Sequence, residues 1–173
     1  MAELCLKPMK HKEQRVGVFV DVQNLYYSAK NVHQAKVNFG KLLVQLVAGR
    51  KLVRALAYVV RGPNSVEDNF FNALDKQGFE VKVKDLQVFA GGNKKGDWDV
   101  GLVIDAIKMI RALDVIILVS GDGDYLAAVE YLQNQGIIVE VAAFGETCSA
   151  KLIEKADDYF NISGHGKKFL ITS

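Results

Sequence analysis

The chain has 173 residues, with 22 basic and 20 acidic side chains and a formal net charge of +2. Half of the residues are hydrophobic, so a chain of this length suits one domain with its own core. The near-balance of charge neither requires nor excludes a nucleic-acid partner. The two cysteines, Cys5 and Cys148, have the spacing of neither a disulfide framework nor a zinc site, which favours a reducing cytoplasmic compartment.

The ends of the chain are expected to be arms on a single domain. Residues 1–14 lack the continuous apolar stretch of a signal peptide, and no segment reaches the length of a membrane span. We therefore expect a soluble cytoplasmic protein with no membrane partner. The domain would cover 15–163, and the tail 164–173 is apolar enough to pack somewhere on it.

Five short runs rich in β-branched residues alternate with segments of helical period. The predicted strands are Arg15–Val22, Val53–Val60, Phe79–Phe89, Val115–Val119 and Ile137–Phe144. The predicted helices are Leu25–Asn31, Phe39–Ala48, Ser65–Gln77, Asp99–Leu113, Leu126–Gln135 and Ser149–Ala156. This alternation predicts a parallel sheet with helices on both faces, which is a three-layer α/β domain.

Acidic side chains follow two of the predicted strands. Asp21 and then Asn24 follow the first strand in "FVDVQN", and Ser120, Asp122 and Asp124 follow the fourth in "SGDGDY". Ligands of open parallel sheets bind beyond the carboxyl ends of the strands, where the strand order reverses. If the first and fourth strands are neighbours, these acids share one crevice.

A third acidic group opens the helix before the fourth strand. Asp97 and Asp99 lie there in "KKGDWDVGLVID", with Asp105 further along the helix. Carboxylates gathered in one crevice repel one another unless a cation neutralises them, and a hard divalent ion such as Mg²⁺ prefers oxygen ligands. Asp105 could bond Asn24 and support such a site, or could lie at the solvent edge.

Each acid also has an ordinary structural explanation. Asp122 or Asp124 could cap the following helix, Asp21 could form an Asx-turn, and Asp97 and Asp99 could stabilise a helix N-terminus. These explanations do not account for three acidic groups at positions that are predicted to share one crevice.

The three acidic motifs, in this order, resemble those of the NYN-domain family of PIN-like nucleases, and most of all its LabA-like bacterial branch. The resemblance covers about Arg15 to Phe160 and includes the final segment "SAKLIEKADDYF". It implies a Rossmannoid, PIN-like domain with five parallel strands in the order 3-2-1-4-5. It also implies an acidic pocket that uses Mg²⁺ or Mn²⁺ to hydrolyse RNA phosphodiester bonds.

The resemblance also assigns roles to residues. Asp21, Asp99 and Asp122 would be the catalytic, metal-binding carboxylates, and a metal-activated water would leave a 5′-phosphate and a 3′-hydroxyl. The supporting positions would be Asn24, Ser120, Asp124, Asp97 and Asp105. Asp97 is a second candidate for the helix acid because "GDWD" offers two acids where the family commonly has one.

We expect RNA, single-stranded or structured, as the partner. Arg61, Lys94 and Lys95 are candidate phosphate contacts, and Trp98 is the first candidate to stack on an unpaired base. Further stacking candidates that flank the acids are Tyr26, Tyr27 and Tyr125, although aromatic residues at strand–helix junctions usually pack.

Other functions fit the sequence less well. A LabA-type regulatory module that binds nucleic acid with little turnover is the main alternative, and metal-dependent turnover would discriminate the two. A haloacid-dehalogenase phosphatase needs a second Asp where Gln23 stands, and a receiver domain lacks its paired acid and its lysine. Asp97 and Trp98 replace the Lys and Ser/Thr of a Walker A loop. The sequence does not decide whether the substrate is RNA or DNA, or whether cleavage is internal or from an end. It also leaves open whether the protein is a homo-oligomer.

Overall fold

The computed structural model describes residues 8–62, 68–92 and 94–172, without the side chains of Asp68, Lys94 and Lys95. Its strands are β1 (Arg15–Asp21), β2 (Lys36–Val37), β3 (Lys51–Arg61), β4 (Glu80–Asp85), β5 (Gln87–Val88), β6 (Lys94–Lys95), β7 (Val115–Val119), β8 (Ile138–Ala143), β9 (Asp158–Asn161) and β10 (Leu170–Ile171). Its α-helices are α1 (Val22–His33), α2 (Phe39–Val47), α3 (Asp68–Lys76), α4 (Asp99–Met109), α5 (Leu126–Asn134) and α6 (Ala150–Lys155). Residues 1–7 of the predicted arm and the first three residues of the predicted helix Ser65–Gln77 lie outside the described residues.

The main sheet has six parallel strands in the order β4-β3-β1-β7-β8-β9. Helices cover both of its faces, so the predicted three-layer α/β fold is confirmed. β1 and β7 are hydrogen-bonded neighbours, and their register runs from Val16 beside Val115 to Val20 beside Val119. The chain builds outward from β1 through β3 to β4 and then returns to the other side at β7. The strand order therefore reverses between β1 and β7, where a ligand crevice is expected.

Two details of the predicted sheet are wrong. The sheet has a sixth strand, β9, whose sequence "DYFN" lacks the β-branched run that marks the other strands. The predicted strand Phe79–Phe89 is too long, because its neighbour β3 ends at Arg61, opposite Asp85. Gln87 and Val88 pair instead with Lys95 and Lys94 in a separate antiparallel hairpin.

The core has two halves, one on each face of the sheet, because side chains alternate along each strand. Val18 and Val20 of β1 face the half that is covered by α1, α2 and α3. Phe19 faces the other half, which is covered by α4, α5 and α6. No helix in the described part of the chain is long and apolar enough to cross a bilayer.

The C-terminal tail packs on the domain. Phe169 is fully buried in the core half under α1 and α2. Its carbonyl oxygen accepts a hydrogen bond of 2.7 Å from the backbone N–H of Asn38, and β10 pairs antiparallel with β2. The tail therefore completes this half of the core by burying Phe169 in it.

A buried ion pair lies at the amino ends of the strands, opposite the predicted crevice. Arg50, which is 6% exposed, donates two hydrogen bonds of 2.7 and 2.9 Å to the carboxylate of Glu140, which is 5% exposed. Lys10 lies 3.4 Å from Glu140 and 2.9 Å from Asp158. This cluster ties the N-terminal segment to β8 and β9.

We predict that Glu140→Gln destabilises the fold by about 3–5 kcal/mol, because it leaves the buried Arg50 guanidinium without a charged partner. Urea unfolding would measure the loss. Asp114→Asn is the matched control, since Asp114 pairs with Arg15 at the surface, where solvent screens the interaction. Equal losses in the two variants would contradict the assignment of Arg50 and Glu140 as the stabilising pair.

Candidate functional site

A cleft of about 330 Å³ lies beyond the carboxyl ends of β1, β3 and β7. Helix α1 forms one wall, the segment that leads into α4 forms the other, and the turn after β7 lies between them. The lining residues are Asp21, Gln23, Asn24, Tyr27, Ser28, Asn31, Tyr58, Val60, Asp97, Trp98, Asp99, Asp122 and Thr147. The cleft thus occupies the point where the strand order reverses.

Asp21 joins the first strand to the first helix. It ends β1 and caps α1, because its Oδ1 accepts a hydrogen bond of 3.0 Å from the backbone N–H of Asn24. Its Oδ2 accepts from the Ser120 hydroxyl and from the Tyr125 hydroxyl, each at 3.3 Å. Asn24 joins α1 to the turn after β7, since its Oδ1 accepts a hydrogen bond of 3.0 Å from the backbone N–H of Gly121.

The "SGDGDY" turn after β7 is both a cap and part of the cleft. Oδ1 of Asp122 accepts a hydrogen bond of 3.0 Å from the backbone N–H of Asp124 and so caps the 3₁₀ turn that follows. Gly121 and Gly123 allow the segment that leads into α6 to approach this turn closely. A Cβ on Gly121 would lie 2.9 Å from the Cα of Cys148, and one on Gly123 would lie 3.0 Å from the Ser149 hydroxyl. Asp122 therefore caps this turn and also lines the cleft, so its capping role does not exclude a functional one.

Three carboxylates converge beside the cleft. One oxygen of each of Asp99, Asp122 and Asp124 lies within 4.8 Å of the other two. Within the described part of the chain, none of the three has an ion-pair partner, and Asp21 does not belong to this group. The structure thus brings Asp99 and Asp122 together with Asp124. Asp21 also lines the cleft but lies outside this group, where its hydrogen bonds hold it.

Tyr125 connects Asp21 to this group, a role that the sequence did not reveal. Its side chain is 1% exposed, and its hydroxyl lies 3.0 Å from Oδ1 of Asp99 and 3.3 Å from Oδ2 of Asp21. A phenol has one proton, so it donates to one carboxylate at a time. Its place directly after "SGDGD" was the available signal, but only the structure shows which way the ring points.

Comparison with known proteins identifies the family. The family model for the NYN domain matches residues 15–163. The chain belongs to the NYN-domain family. It is 26% identical over 167 residues to the low amplitude and bright protein LabA of Synechococcus elongatus, covering 90% of this chain and 87% of LabA. A crystal structure of a Vibrio parahaemolyticus protein of unknown function is 31% identical, with a TM-score of 0.84, and the match covers 95% of this chain and 100% of that one.

The acids at the cleft of this NYN domain carry charge that no described Lys or Arg neutralises. Burial raises the pKa of Asp21 above its ordinary value, the N–H of Asn24 offsets part of the rise, and the charge of Asp99 adds to it. Burial also raises the pKa of Asp99, the Tyr125 hydroxyl lowers it, and the charges of Asp97, Asp122 and Asp124 raise it further. A cation among these oxygens would relieve the repulsion.

Two predicted residues, the supporting acid Asp97 and the stacking candidate Trp98, line the wall of the NYN cleft that leads into α4. The main-chain oxygen of Asp97 accepts a hydrogen bond of 2.7 Å from Lys84. The indole N–H of Trp98 donates to the carbonyl of Val59 at 2.8 Å, and its ring packs edge-on against Tyr58 with centroids 5.3 Å apart. Trp98 is therefore fixed in the wall.

Two other predicted site residues lie outside the cleft lining. The guanidinium of Arg61 lies 5.6 Å from the centre of the Phe71 ring and 3.9 Å from Asp85. Asp105 does not bond Asn24. It accepts hydrogen bonds from the Tyr58 hydroxyl at 3.0 Å and from Lys82 at 2.6 Å. It thus supports the wall of the cleft from behind Tyr58.

The predicted phosphate contacts Lys94 and Lys95 form β6, and their side chains lie outside the described part of the structure. They stay candidates from the sequence. Their strand pairs with Gln87 and Val88, in the segment that precedes Asp97 and Asp99.

We predict that Asp21→Asn raises the free energy of unfolding at pH 7 in EDTA. Because folding raises the pKa of Asp21, the folded state binds more protons than the unfolded state above the ordinary Asp range, so wild-type stability falls as pH rises there. Asparagine removes that buried charge and can still cap α1. The gain should shrink toward zero as pH falls below the ordinary Asp pKa of about 3.9, because the wild-type carboxyl then becomes protonated in both states.

Chemical denaturation across this pH range would show whether Asp21→Asn raises or lowers the free energy of unfolding. Asp114→Asn is the comparison variant, for which the opposite change is expected. The Arg15 guanidinium holds the pKa of Asp114 at about 2, so neutralising Asp114 should lower stability at pH 7. An Asp21→Asn variant that is less stable than wild type at pH 7 would contradict the burial argument.

Proposed function

We propose that this NYN domain is a metal-dependent ribonuclease that hydrolyses RNA phosphodiester bonds. The observation that carries the proposal is the convergence of Asp99, Asp122 and Asp124 within 4.8 Å of one another, where the strand order reverses and where no described Lys or Arg pairs with them. Membership of the NYN-domain family supports nuclease chemistry at this position.

The donor set fits a hard divalent cation. Carboxylate oxygens are the ligands that Mg²⁺ prefers, and Mn²⁺ accepts the same set. Asp99, Asp122 and Asp124 are the residues that would hold the ion. When bound, it would polarise a phosphoryl oxygen and lower the pKa of a water molecule.

The charge of the cleft supports metal dependence. None of the described residues that line the cleft is Lys or Arg, whereas Asp21, Asp97, Asp99 and Asp122 all line it. A phosphate group would be repelled by this surface unless the acids were neutralised. Because no described residue that lines the cleft is Lys or Arg, we assign phosphate binding to a metal ion held by Asp99, Asp122 and Asp124.

The chain's own groups then orient and deprotonate the nucleophile. Tyr125 holds one oxygen of Asp99 and leaves the other for a ligand, while Asn24 and Ser120 fix the carboxylate of Asp21. Asp21 lines the cleft beside Asp99 and Asp122 and does not belong to the three-acid group that would hold the ion, so we assign to its carboxylate the acceptance of a proton from the attacking water. The water oxygen bonds to phosphorus, the bond to the 3′-oxygen breaks, and that oxygen takes a proton from solvent.

The second candidate function is a regulatory module that binds nucleic acid with little turnover. The similarity to LabA over 90% of the chain favours it, and so does the lack of Lys and Arg among the described lining residues. Such a module would bind a divalent ion and RNA at the same acids without cleaving the RNA.

We predict that end-labelled single-stranded RNA is cleaved in Mg²⁺ or Mn²⁺ and not in EDTA. Asp99→Asn and Asp122→Asn should each lower the rate by more than about 100-fold, because losing even an indirect partner of a metal typically costs 10- to 100-fold. Asp114→Asn is the matched control. Asp114 precedes β7 and Asp122 follows it, so the two acids lie at opposite ends of the same strand.

The outcome separates the two candidates. Cleavage that is lost in both site variants and kept in Asp114→Asn supports the nuclease. Equal cleavage by all four proteins would place the activity elsewhere and overturn the proposed site. Metal and RNA binding without cleavage would favour the regulatory module.

A further inference from the structure

One side of α1 presents a row of polar and aromatic side chains to the cleft. Gln23, Tyr27 and Asn31 are spaced four residues apart and all line the cleft. Residues four apart lie above one another on a helix, and eight residues span about 12 Å. We call these three residues the α1 ridge. It begins two residues after Asp21 and leads away from the acids.

The side chains of the α1 ridge are free to bind a ligand. In the described part of the chain, none of their polar atoms makes a hydrogen bond within the protein. Tyr27 is 51% exposed, and the one aromatic ring near it among the described residues, Tyr26, meets it edge-on at 5.5 Å. Trp98, by contrast, already donates its N–H to Val59.

The chemistry of the α1 ridge matches a nucleobase and does not match a phosphate. An exposed tyrosine ring offers a surface for stacking, and carboxamides offer a donor and an acceptor to the edge of a base. The described residues of the cleft lining include no Lys or Arg that would grip a phosphate through its charge. A base must be unpaired and unstacked to use both kinds of contact at once.

We propose that the α1 ridge binds an unpaired nucleobase of the RNA next to the phosphate at the acids. Tyr27 stacks on the base, and Gln23 and Asn31 hydrogen-bond to its edge. The inference rests on the proposed function for the position of that phosphate, whereas binding of the base does not require cleavage. It makes single-stranded RNA the substrate class, because a base in a duplex is not free to make these contacts.

The test is binding of a short single-stranded oligoribonucleotide in Mg²⁺, with every variant made in an Asp21→Asn background, which removes the assigned proton acceptor and leaves the three acids that would hold the ion in place. Tyr27→Ala should weaken binding by roughly 5- to 100-fold, as loss of one stacked base does, and Tyr27→Phe should stay within about twofold. Tyr26→Ala is the matched control. Tyr26 is the adjacent tyrosine on α1, is 45% exposed and does not line the cleft.

Several results would overturn the α1 ridge as a base site. These are equal affinity for an abasic oligonucleotide of the same length, equal affinity for duplex RNA, equal effects of Tyr26→Ala and Tyr27→Ala, or no measurable oligonucleotide binding. Both tyrosines are exposed, so unfolding midpoints should match across the variants and exclude misfolding as the cause.

Failure of this inference differs from failure of the nuclease. If the otherwise wild-type protein cleaves RNA and Tyr27→Ala changes neither binding nor KM, the base site falls and the nuclease stands. If nothing cleaves but binding depends on Tyr27 and on the bases, the base site stands and the nuclease falls. If both hold, Tyr27→Ala should raise KM with little change in kcat, because Tyr27 contacts a base and not the reacting phosphate.

Discussion

The parallel pairing of β1 with β7 is the constraint on which the rest of the structure depends. Val20 lies beside Val119 in the last registered pair, so Asp21 and Ser120 are the next residues of two adjacent strands. Their side chains bond each other, and Asn24 bonds the turn that follows β7. One junction therefore ends two strands, starts α1 and forms the floor of the cleft. A shift of one residue in this register would separate these partners.

The acids at this junction have no Lys or Arg partner among the described residues, so they oppose folding. Interactions elsewhere in the domain have to supply the free energy that offsets them. The burial of Phe169 from the C-terminal tail supplies part of it, and the buried pair of Arg50 and Glu140 at the amino ends of the strands supplies more. Acids there have basic partners, as Asp114 has in Arg15. Within the part of the chain that the structure describes, the acids at the cleft have hydrogen-bond donors and no ion-pair partner. Such a division is expected of a domain that keeps a destabilised site on an otherwise consistent fold.

Much of the fold could be predicted from the sequence, because apolar runs mark the central strands and the acids directly follow them. The adjacency of β1 and β7 followed from the resemblance to the NYN-domain family. The missed features depend on side-chain direction or on pairing that has no local pattern. Strand β9 has no run of β-branched residues. Asp105 points to Tyr58 and Lys82, and Tyr125 turns inward to Asp21 and Asp99, which spacing along the chain cannot show.

Recognition and chemistry are coupled through the start of α1. Because Asp21 caps this helix, the hydrogen bond from the N–H of Asn24 fixes both the carboxylate and the direction in which the α1 ridge leaves it. A base on Tyr27 and a phosphate at the acids would then be held by one rigid element, so the spacing between them is set by helix geometry. A movement of α1 would disturb both contacts together, whereas a change on Tyr27 alone would disturb only the base.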